Sequence, residues 1–303
     1  MAGFEGQAML LPASRQKLLI VLALGALYFI WGSTFLAMRF AIESFPPFMM
    51  AAIRFVAAGA LLYGWLRWRG TPVPTFKQWL GAAIVGVLLL SIGNAGVAYA
   101  EQSVSSGAAA LAIATVPLWA AIFASFWKHA PNRREWLGIV IGTVGIVVLN
   151  LGTNMQASPL GAGILLLSAA CWAFGSLWGK HLPMPEGAMA SAAQMLMGGA
   201  VLVGVSLMTG ETWPESASPK SIYALAYLIV FGSLIAYSAY LFLLNAVRPA
   251  LATSYAFVNP VVALALGAWL AGEVIGRAEY IALAIIVVGV LLVLPLKRGN
   301  ENT

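Results

Sequence analysis

The polar residues that could do chemistry in this chain are few, and most of them interrupt long apolar runs. Arg54 lies about eight residues into the apolar run that begins at Pro47. A charge inside a membrane-spanning helix costs about 2.5–3.5 kcal/mol on insertion scales, so it usually faces the bundle interior and has a partner. Arg54 could therefore bind the carboxylate of a small molecule or form a gating ion pair with Glu101. Alternatively, it is a structural residue that binds helix carbonyls or reaches the membrane interface.

Glu101 and Gln102 end another apolar run, which closes at Ala100. A carboxylate in that place could hold an ammonium group or carry a proton, and Glu101 is the leading proton site if proton coupling exists. The alternative is a cap on the loop that follows. Arg39 and Glu43 lie four residues apart, and this spacing predicts an exposed ion pair.

Aromatic and amide side chains deep in the apolar runs predict a binding cavity, because ligand pockets are mostly apolar with a few placed polar groups. A buried amide in a membrane must find hydrogen bonds inside the protein. Packing without a ligand is the alternative for any single aromatic residue. The candidates are Trp31 with Ser33, Trp119, Trp172 with Ser176, Tyr237, Tyr240 and Tyr255, and the amides Asn94 and Asn259.

Several functional classes lack the residues that they need. All ten acidic residues are glutamate, and the two histidines, His129 and His181, are too far apart for a paired-histidine zinc motif. The sequence contains no Gly-x4-Gly-Lys-Ser/Thr phosphate loop. We therefore expect no catalytic residue, metal or cofactor. The net charge of +6 comes from scattered residues, which argues against nucleic acid as a partner.

The composition is that of an integral membrane protein. Hydrophobic residues make up 61% of the 303 positions and charged residues 9%, against about 45–50% and about 25% in soluble domains. Apolar runs long enough for a membrane helix predict an all-α integral membrane fold with ten transmembrane helices. The predicted spans are Leu18–Phe40, Pro47–Leu66, Trp79–Ala100, Ser106–Trp127, Trp136–Leu151, Leu160–Lys180, Ala188–Met208, Ile222–Asn245, Ala250–Ala271 and Glu279–Leu296.

The distribution of basic residues predicts the orientation. With a cytoplasmic amino terminus, twelve Lys and Arg residues lie in cytoplasmic segments, whereas only Arg39, Lys220 and Arg277 lie outside. This bias follows the positive-inside rule. We therefore expect both termini in the cytoplasm, which requires an even number of spans.

The two halves of the sequence resemble each other. Trp31-Gly32-Ser33 recurs as Phe174-Gly175-Ser176, and Pro117 recurs as Pro260 at the same offset along the chain. Residues 51–59 align with residues 191–199 at nearly that offset. A repeat of five spans is odd in number, so the second copy must cross the membrane in the opposite sense. The prediction is two inverted five-helix repeats, an architecture typical of transporters that bind their solute near the midplane.

These features resemble the drug/metabolite transporter superfamily, specifically bacterial inner-membrane exporters with two EamA domains. The motifs that carry the resemblance are Trp31-Gly32-Ser33, Ala100-Glu101-Gln102, Ser106-Gly107-Ala108-Ala109, Pro117, Asn259-Pro260 and Gly272-Glu273. The Gly-Glu after the ninth span has no counterpart after the fourth, where Lys128-His129 stands instead.

The resemblance implies export of small metabolites, with amino acids as the leading class, by alternating access across the bacterial inner membrane. It also implies a central cavity lined by spans one, three, four, six, eight and nine. The expected domains are repeats over residues 18–151 and 160–296, between cytoplasmic tails 1–17 and 297–303. The expected partners are a small-molecule substrate and membrane lipid, and the oligomeric state stays open.

Three alternatives to this function remain. A multidrug or other-metabolite exporter would share the fold. A membrane scaffold or a lipid-modifying enzyme is disfavoured by the missing aspartates and by the absence of clustered histidines and carboxylates. A channel is disfavoured because no ring of charges or filter sequence is present.

Overall fold

The computed structural model describes residues 13–103, 113–126, 131–150, 159–271 and 277–293, and every regular element in these ranges is helical. One helical turn, Pro249–Ala252, precedes the ninth of the helices named here. In chain order these are α1 (Ser14–Ile42), α2 (Pro47–Trp68), α3 (Phe76–Ala100), α4 (Val116–Phe126), α5 (Arg133–Asn150), α6 (Pro159–His181), α7 (Ala188–Met208), α8 (Pro219–Ala246), α9 (Tyr255–Ala271) and α10 (Arg277–Val293).

Among the described helices, α1, α2, α3, α6, α7 and α8 are long and apolar enough to cross a membrane. They coincide with six of the predicted spans, and the all-helical prediction is confirmed. The predicted ninth span is not continuous, because a turn at Thr253 and Ser254 separates Pro249–Ala252 from α9. Residues 104–112 and 127–130, which include parts of the fourth span, lie outside the described ranges, as do residues 272–276, which contain the Gly272-Glu273 motif.

Helices α3 and α8 both begin with a side-chain cap, in which a hydroxyl accepts a hydrogen bond from the backbone N–H three residues later. The Thr75 hydroxyl accepts a hydrogen bond from the Gln78 backbone N–H, and the Gln78 side chain accepts one from the Thr75 N–H, which is a capping box. Ser218, at the corresponding place in the second half, accepts a bond from the Ser221 N–H. These side chains satisfy backbone donors that the first helical turn leaves open.

Helices α2 and α7 also end alike. Each runs into a glycine with a positive φ, 85° at Gly70 and 70° at Gly210, which a side chain would strain. The next residue then donates a 3.0 Å backbone bond to the carbonyl five residues earlier, Thr71 to Leu66 and Glu211 to Ser206. The next helix is capped five positions after the first glycine but eight positions after the second, so the loop after α7 is the longer one.

Helices α2 and α7 cross so closely that glycine is required at two corresponding positions. A Cβ on Gly59 would lie 2.9 Å from the Leu196 backbone nitrogen, and a Cβ on Gly199 would lie 2.9 Å from the Val56 backbone nitrogen. Moving three residues back along α2 moves the contact three residues forward along α7, so the two helices are antiparallel. Val56 and Leu196 have the same separation in sequence as the two glycines, and the crossing is therefore two-fold in its contacts.

Helices α5 and α10 cross in the same manner. A Cβ on Gly145 would lie 2.7 Å from the Ile286 side chain, and a Cβ on Gly289 would lie 2.7 Å from the Gly142 backbone nitrogen. These contacts again run in opposite directions along the two helices. Small residues allow such close backbone contact in membrane bundles.

Three helices contain stretches of wider, π-type turns: Leu27–Trp31 in α1, Val87–Asn94 in α3 and Leu228–Tyr237 in α8. The stretches in α3 and α8 overlap at corresponding positions, because Asn94 and Tyr237, which end them, are as far apart in sequence as the caps Thr75 and Ser218. Such turns are frequent at functional sites. All three stretches lie beside the cavity described below.

The bundle has two ends, end A and end B, which we define by the loop residues that lie there. End A carries Ser44 and Ser218, whose backbone N–H donates to the Ser44 hydroxyl at 3.2 Å. End B carries Gly70 and Pro183, next to Met184, whose carbonyl accepts a 3.2 Å bond from Gln78.

The residues at end A form two further links between the loops. Lys220 lies 2.8 Å from Glu43, so Glu43 pairs with Lys220 and not, as the spacing predicted, with Arg39. The Glu211 carboxylate accepts from the Phe48 and Met49 backbone N–H groups at 3.1 and 2.7 Å. Glu211 thereby caps the first turn of α2, where no side chain of that helix does so.

Candidate functional site

A cavity of about 570 Å³, part of which is open to solvent, lies between the middle of the bundle and end A. Its described walls come from α1, α2, α3, α6 and α9, from the start of α4, and from Ile113 before it. The lining side chains are mostly apolar, as in small-molecule sites. They are Trp31, Thr34, Phe35, Met38, Arg54, Gly93, Asn94, Val97, Ile113, Val116, Ser168, Trp172, Tyr255 and Asn259.

Arg54 is the charged residue in the described part of this wall, and it is only 3% exposed. Its Nε donates to the Ser233 hydroxyl at 2.8 Å, and its Nη1 donates to the Asn94 side-chain oxygen at 3.3 Å. The other terminal nitrogen fits against Gly232, where a Cβ would lie 2.8 Å from it. The ion pair with Glu101, one of the alternatives considered for Arg54, is not formed, since Arg54 binds the neutral Ser233 and Asn94 side chains in the described structure.

Four aromatic rings form the floor of the cavity on the side of end B. The Trp31 ring lies 5.5 Å from Trp172, 5.2 Å from Tyr240 and 4.8 Å from Tyr255. Hydrogen bonds fix the rings: the Trp31 indole donates to the Gly232 carbonyl at 3.1 Å, and the Trp172 indole donates to the Tyr240 hydroxyl at 3.0 Å. Buried Trp and Tyr need such partners. The floor closes the cavity toward end B.

Side chains behind the floor hold it in place. The Ser176 and Tyr240 hydroxyls are 2.7 Å apart. The buried Tyr237 hydroxyl donates to the Gln194 side-chain oxygen. When the two halves are aligned, Gln194 and Tyr237 occupy the positions of Arg54 and Asn94. Each half of the chain therefore links the second helix of its set to the third by a side-chain bond, with a charge in one half only.

Asn259 joins the wall from α9, directly before Pro260. With its amide nitrogen turned toward the two acceptors beside it, that nitrogen donates to the Tyr255 and Leu27 carbonyls at 3.1 and 3.2 Å. The Leu27 carbonyl belongs to the π-type stretch of α1. The amide thus ties α9 to α1 at the floor of the cavity.

The cavity brings together six of the residues predicted from the sequence: Trp31, Arg54, Asn94, Trp172, Tyr255 and Asn259. Tyr240 completes the floor without lining the cavity, and Ser176 and Tyr237 lie behind the floor. Ser33 instead bonds to the Tyr227 hydroxyl at 2.6 Å, and Trp119 stacks on Phe123 with ring centres 5.9 Å apart. Helix α8, which the resemblance placed in the wall, supports Arg54 through Gly232 and Ser233.

Glu101 and Gln102 follow α3 at end A and do not line the cavity. Glu101 is partly buried, and burial raises the pKa of its carboxyl to about 8, while the charge of nearby Arg39 acts in the opposite direction. The carboxyl is therefore mainly protonated at neutral pH. Gln102 is exposed.

Several cavity-lining residues were not predicted as site residues, although their spacing in the sequence indicates that they share a helix face with predicted ones. Thr34, Phe35 and Met38 follow Trp31 at three, four and seven residues, which places all four on one helix face. Ser168 precedes Trp172 by one turn in the same way. Counting the helical period from Trp31 and Trp172 would have identified these lining residues.

The family comparison assigns both halves of the chain to one model. The EamA-like transporter family model matches residues 17–151 and again residues 159–294. The chain belongs to the EamA-like transporter family. It is therefore a membrane transporter and not an enzyme.

Curated relatives of this EamA-like chain agree with that assignment. The chain is 47% identical to the "Uncharacterized inner membrane transporter YedA" of Escherichia coli K12 over 280 residues, which cover 92% of each protein. It is 25% identical to "Protein PecM" of Dickeya dadantii over 276 residues, 87% of this chain and 88% of that protein. It is also 25% identical to the Arabidopsis thaliana "WAT1-related protein At3g02690, chloroplastic" over 291 residues, 90% of this chain and 69% of that protein.

A solved crystal structure has the same fold. It superimposes with a TM-score of 0.75 at 19% identity, covering 90% of this chain and 95% of the other. At that identity the likeness concerns the fold alone.

Proposed function

We propose that this EamA-like transporter exports small organic metabolites, with amino acids as the first class to test, by alternating access. The observation that carries the proposal is the cavity itself. It extends from the middle of the bundle toward end A, holds a buried cation in its wall, and is bounded toward end B by the Trp31–Trp172–Tyr240–Tyr255 floor.

The proposed architecture is ten transmembrane helices in two inverted repeats, residues 18–151 and 160–296, with tails 1–17 and 297–303. The antiparallel crossings of α2 with α7 and of α5 with α10 support it, because corresponding helices of an inverted repeat run in opposite directions. The matched caps at Thr75 and Ser218 support it as well. The positive-inside bias supports cytoplasmic termini in the bacterial inner membrane, with end A outside.

In the proposed cycle, the solute sits between Arg54 and the aromatic floor. Release of the floor would connect the cavity to end B, and narrowing of the cavity between Arg54 and end A would close the opposite side. The proposed solute contacts are Trp31, Arg54, Asn94, Trp172, Tyr255 and Asn259. Tyr240 is the remaining ring of the floor, and Ser176 and Tyr237 are its proposed supports. The remaining predicted residues do not line the cavity in this structure, and we propose that they contact the solute only in another conformation: Ser33, Glu101, Gln102 and Trp119.

Counterflow in proteoliposomes tests the carrier mechanism. Labelled amino acid should enter faster when unlabelled amino acid is present inside, and the rate should saturate. Met38→Trp, which fills the cavity from α1, should abolish exchange, because Met38 lines the wall and is 4% exposed. Phe29→Trp is the matched control on the same helix, since Phe29 is 69% exposed. Flux that rises linearly without trans-stimulation would exclude a carrier.

A further inference from the structure

The cation in the cavity wall is satisfied only by neutral groups in the described structure. The Ser233 hydroxyl and the Asn94 amide oxygen take two of the five N–H donors of the Arg54 guanidinium. A buried charge is stable only with a partner of opposite charge or good hydrogen bonds. The remaining donors leave room for one acceptor group that carries a negative charge.

The molecule contains its own comparison for this site. Gln194 stands at the position that corresponds to Arg54, and it is bonded to Tyr237, the residue that corresponds to Asn94. Both residues are buried, at 2% and 1% exposure. An uncharged amide therefore satisfies the same place in the other half, so the fold itself does not demand a cation at residue 54. The charge of Arg54 is therefore available to bind a molecule that enters the cavity.

The rest of the described wall offers nothing for a second charge. None of the cavity-lining side chains named above is acidic. The Asn94 oxygen is already bonded to Arg54, and the Asn259 nitrogen is bonded to backbone carbonyls. An ammonium group in this cavity would meet aromatic faces, one amide oxygen and the Thr34 and Ser168 hydroxyls, none of which is charged, whereas a carboxylate would meet a guanidinium. The wall therefore favours an anion over a zwitterion.

We propose that the solute of this cavity is an organic monoanion, with its carboxylate on Arg54 and an apolar or aromatic body on Trp31, Trp172 and Tyr255, and that an amino group is dispensable. The proposal rests on the proposed function, which it narrows. The geometry that carries it is one buried cation at one side of a cavity whose floor consists of aromatic rings. The Arg54 bonds to Ser233 and Asn94 hold the guanidinium plane in place, so a carboxylate can bind it through two oxygens.

A set of compounds with one phenyl ring and different charges tests the proposal. The compounds are 3-phenylpropionate, phenylalanine, 2-phenylethylamine and 3-phenylpropanamide, which are an anion, a zwitterion, a cation and a neutral molecule. Binding is measured as thermal stabilisation of the purified protein in detergent. We expect the anion to bind at least 10-fold more tightly than the zwitterion and the neutral amide, and the cation not to bind.

Variants at residue 54 assign the preference to the guanidinium. Arg54→Gln copies the residue of the other half and should weaken anion binding about 10- to 100-fold, the range for a hydrogen bond to a charged group, while binding of 3-phenylpropanamide stays unchanged. Arg54→Lys keeps the charge and should keep the order of affinities. Asn94→Asp places a carboxylate beside the intact Arg54, so it should also abolish the anion preference and does not depend on folding of the Gln variant.

Exchange of 2-phenylethanesulfonate in proteoliposomes separates this proposal from the transport function, because a sulfonate stays charged and does not leak as a neutral acid. Tighter binding of phenylalanine than of 3-phenylpropionate, or an anion preference that survives both Arg54→Gln and Asn94→Asp, overturns the anion proposal. If phenylalanine then exchanges saturably, the transport function stands. Arg54-dependent anion binding without exchange of any compound supports the anion site and counts against transport.

Discussion

Replacing the glycines at the α2–α7 crossing by alanine should destabilise the protein equally from either helix. An added Cβ on Gly59 or Gly199 would lie 2.9 Å from a backbone nitrogen of the other helix. It must move outward by about half an ångström to reach ordinary contact, and the object in its path is backbone, which cannot rotate away. Such overpacking costs about 1–3 kcal/mol.

The chain provides a matched control for each variant. Gly64 lies five residues after Gly59 in α2, Gly204 lies five residues after Gly199 in α7, and neither has an atom within 4 Å of an added Cβ. Gly→Ala in a helix gains about 1 kcal/mol from propensity alone. That gain is common to all four sites, so subtracting the control isolates the crossing. We expect Gly59→Ala and Gly199→Ala each to be about 1–3 kcal/mol less stable than the controls.

Equilibrium unfolding in detergent with increasing SDS measures these free energies. The double variant Gly59→Ala/Gly199→Ala should cost less than the sum of the two single variants, because the first Cβ already separates the helices at the shared contact. If Gly59→Ala and Gly64→Ala have the same stability, the close crossing does not exist in the membrane protein. If only one of the two helices is sensitive, the contact is not two-fold.

Three further predictions concern single positions. Gly232→Ala should displace the Arg54 guanidinium, whose end lies 2.8 Å from the added Cβ, and should weaken 3-phenylpropionate binding. An unchanged affinity would contradict this packing. The pKa of the Glu101 carboxyl is raised to about 8 from its ordinary value near 4.5. The contribution of this carboxyl to stability should therefore be greatest below pH 4.5 and should be lost as the pH rises through 8. Glu101→Gln should flatten the plot of melting temperature against pH over that range, and an unaltered profile would disprove the assignment. Glu211→Gln should lower the free energy of unfolding by about 1 kcal/mol, because two N–H groups at the start of α2 lose a charged acceptor. Glu43→Gln should lower it by less, since the exposed pair of Glu43 with Lys220 is screened by water. Equal losses in the SDS titration would contradict the capping role of Glu211.

The sequence predicted the membrane helices well because hydropathy reports directly on transfer into lipid. It also predicted that Arg54 is buried, since the cost of a lipid-facing charge leaves few other places for it. Its partner Ser233 lies in the other half of the chain, and nothing local in the sequence encodes that pairing. The break at Thr253 and Ser254 was missed because small hydroxyl residues are tolerated inside membrane helices, so hydropathy does not mark a turn there.

The candidate site was only partly predictable for a related reason. Residues such as Trp31 and Trp119 lie in helices that are apolar on all sides, so the pattern does not tell which side faces a cavity. Trp31 faces it and Trp119 stacks on Phe123 instead. The bond between Tyr237 and Gln194 became meaningful only once the two halves could be aligned in space.

The glycine crossings hold α2 against α7 and α5 against α10. Backbones that already touch can neither approach nor slide without collision, so each of these two pairs must move as a unit while other helices shift. Movement that empties the cavity toward end B therefore falls to the helices around it, and the loosely wound stretches in α1, α3 and α8 allow three of them to bend where the floor meets the wall.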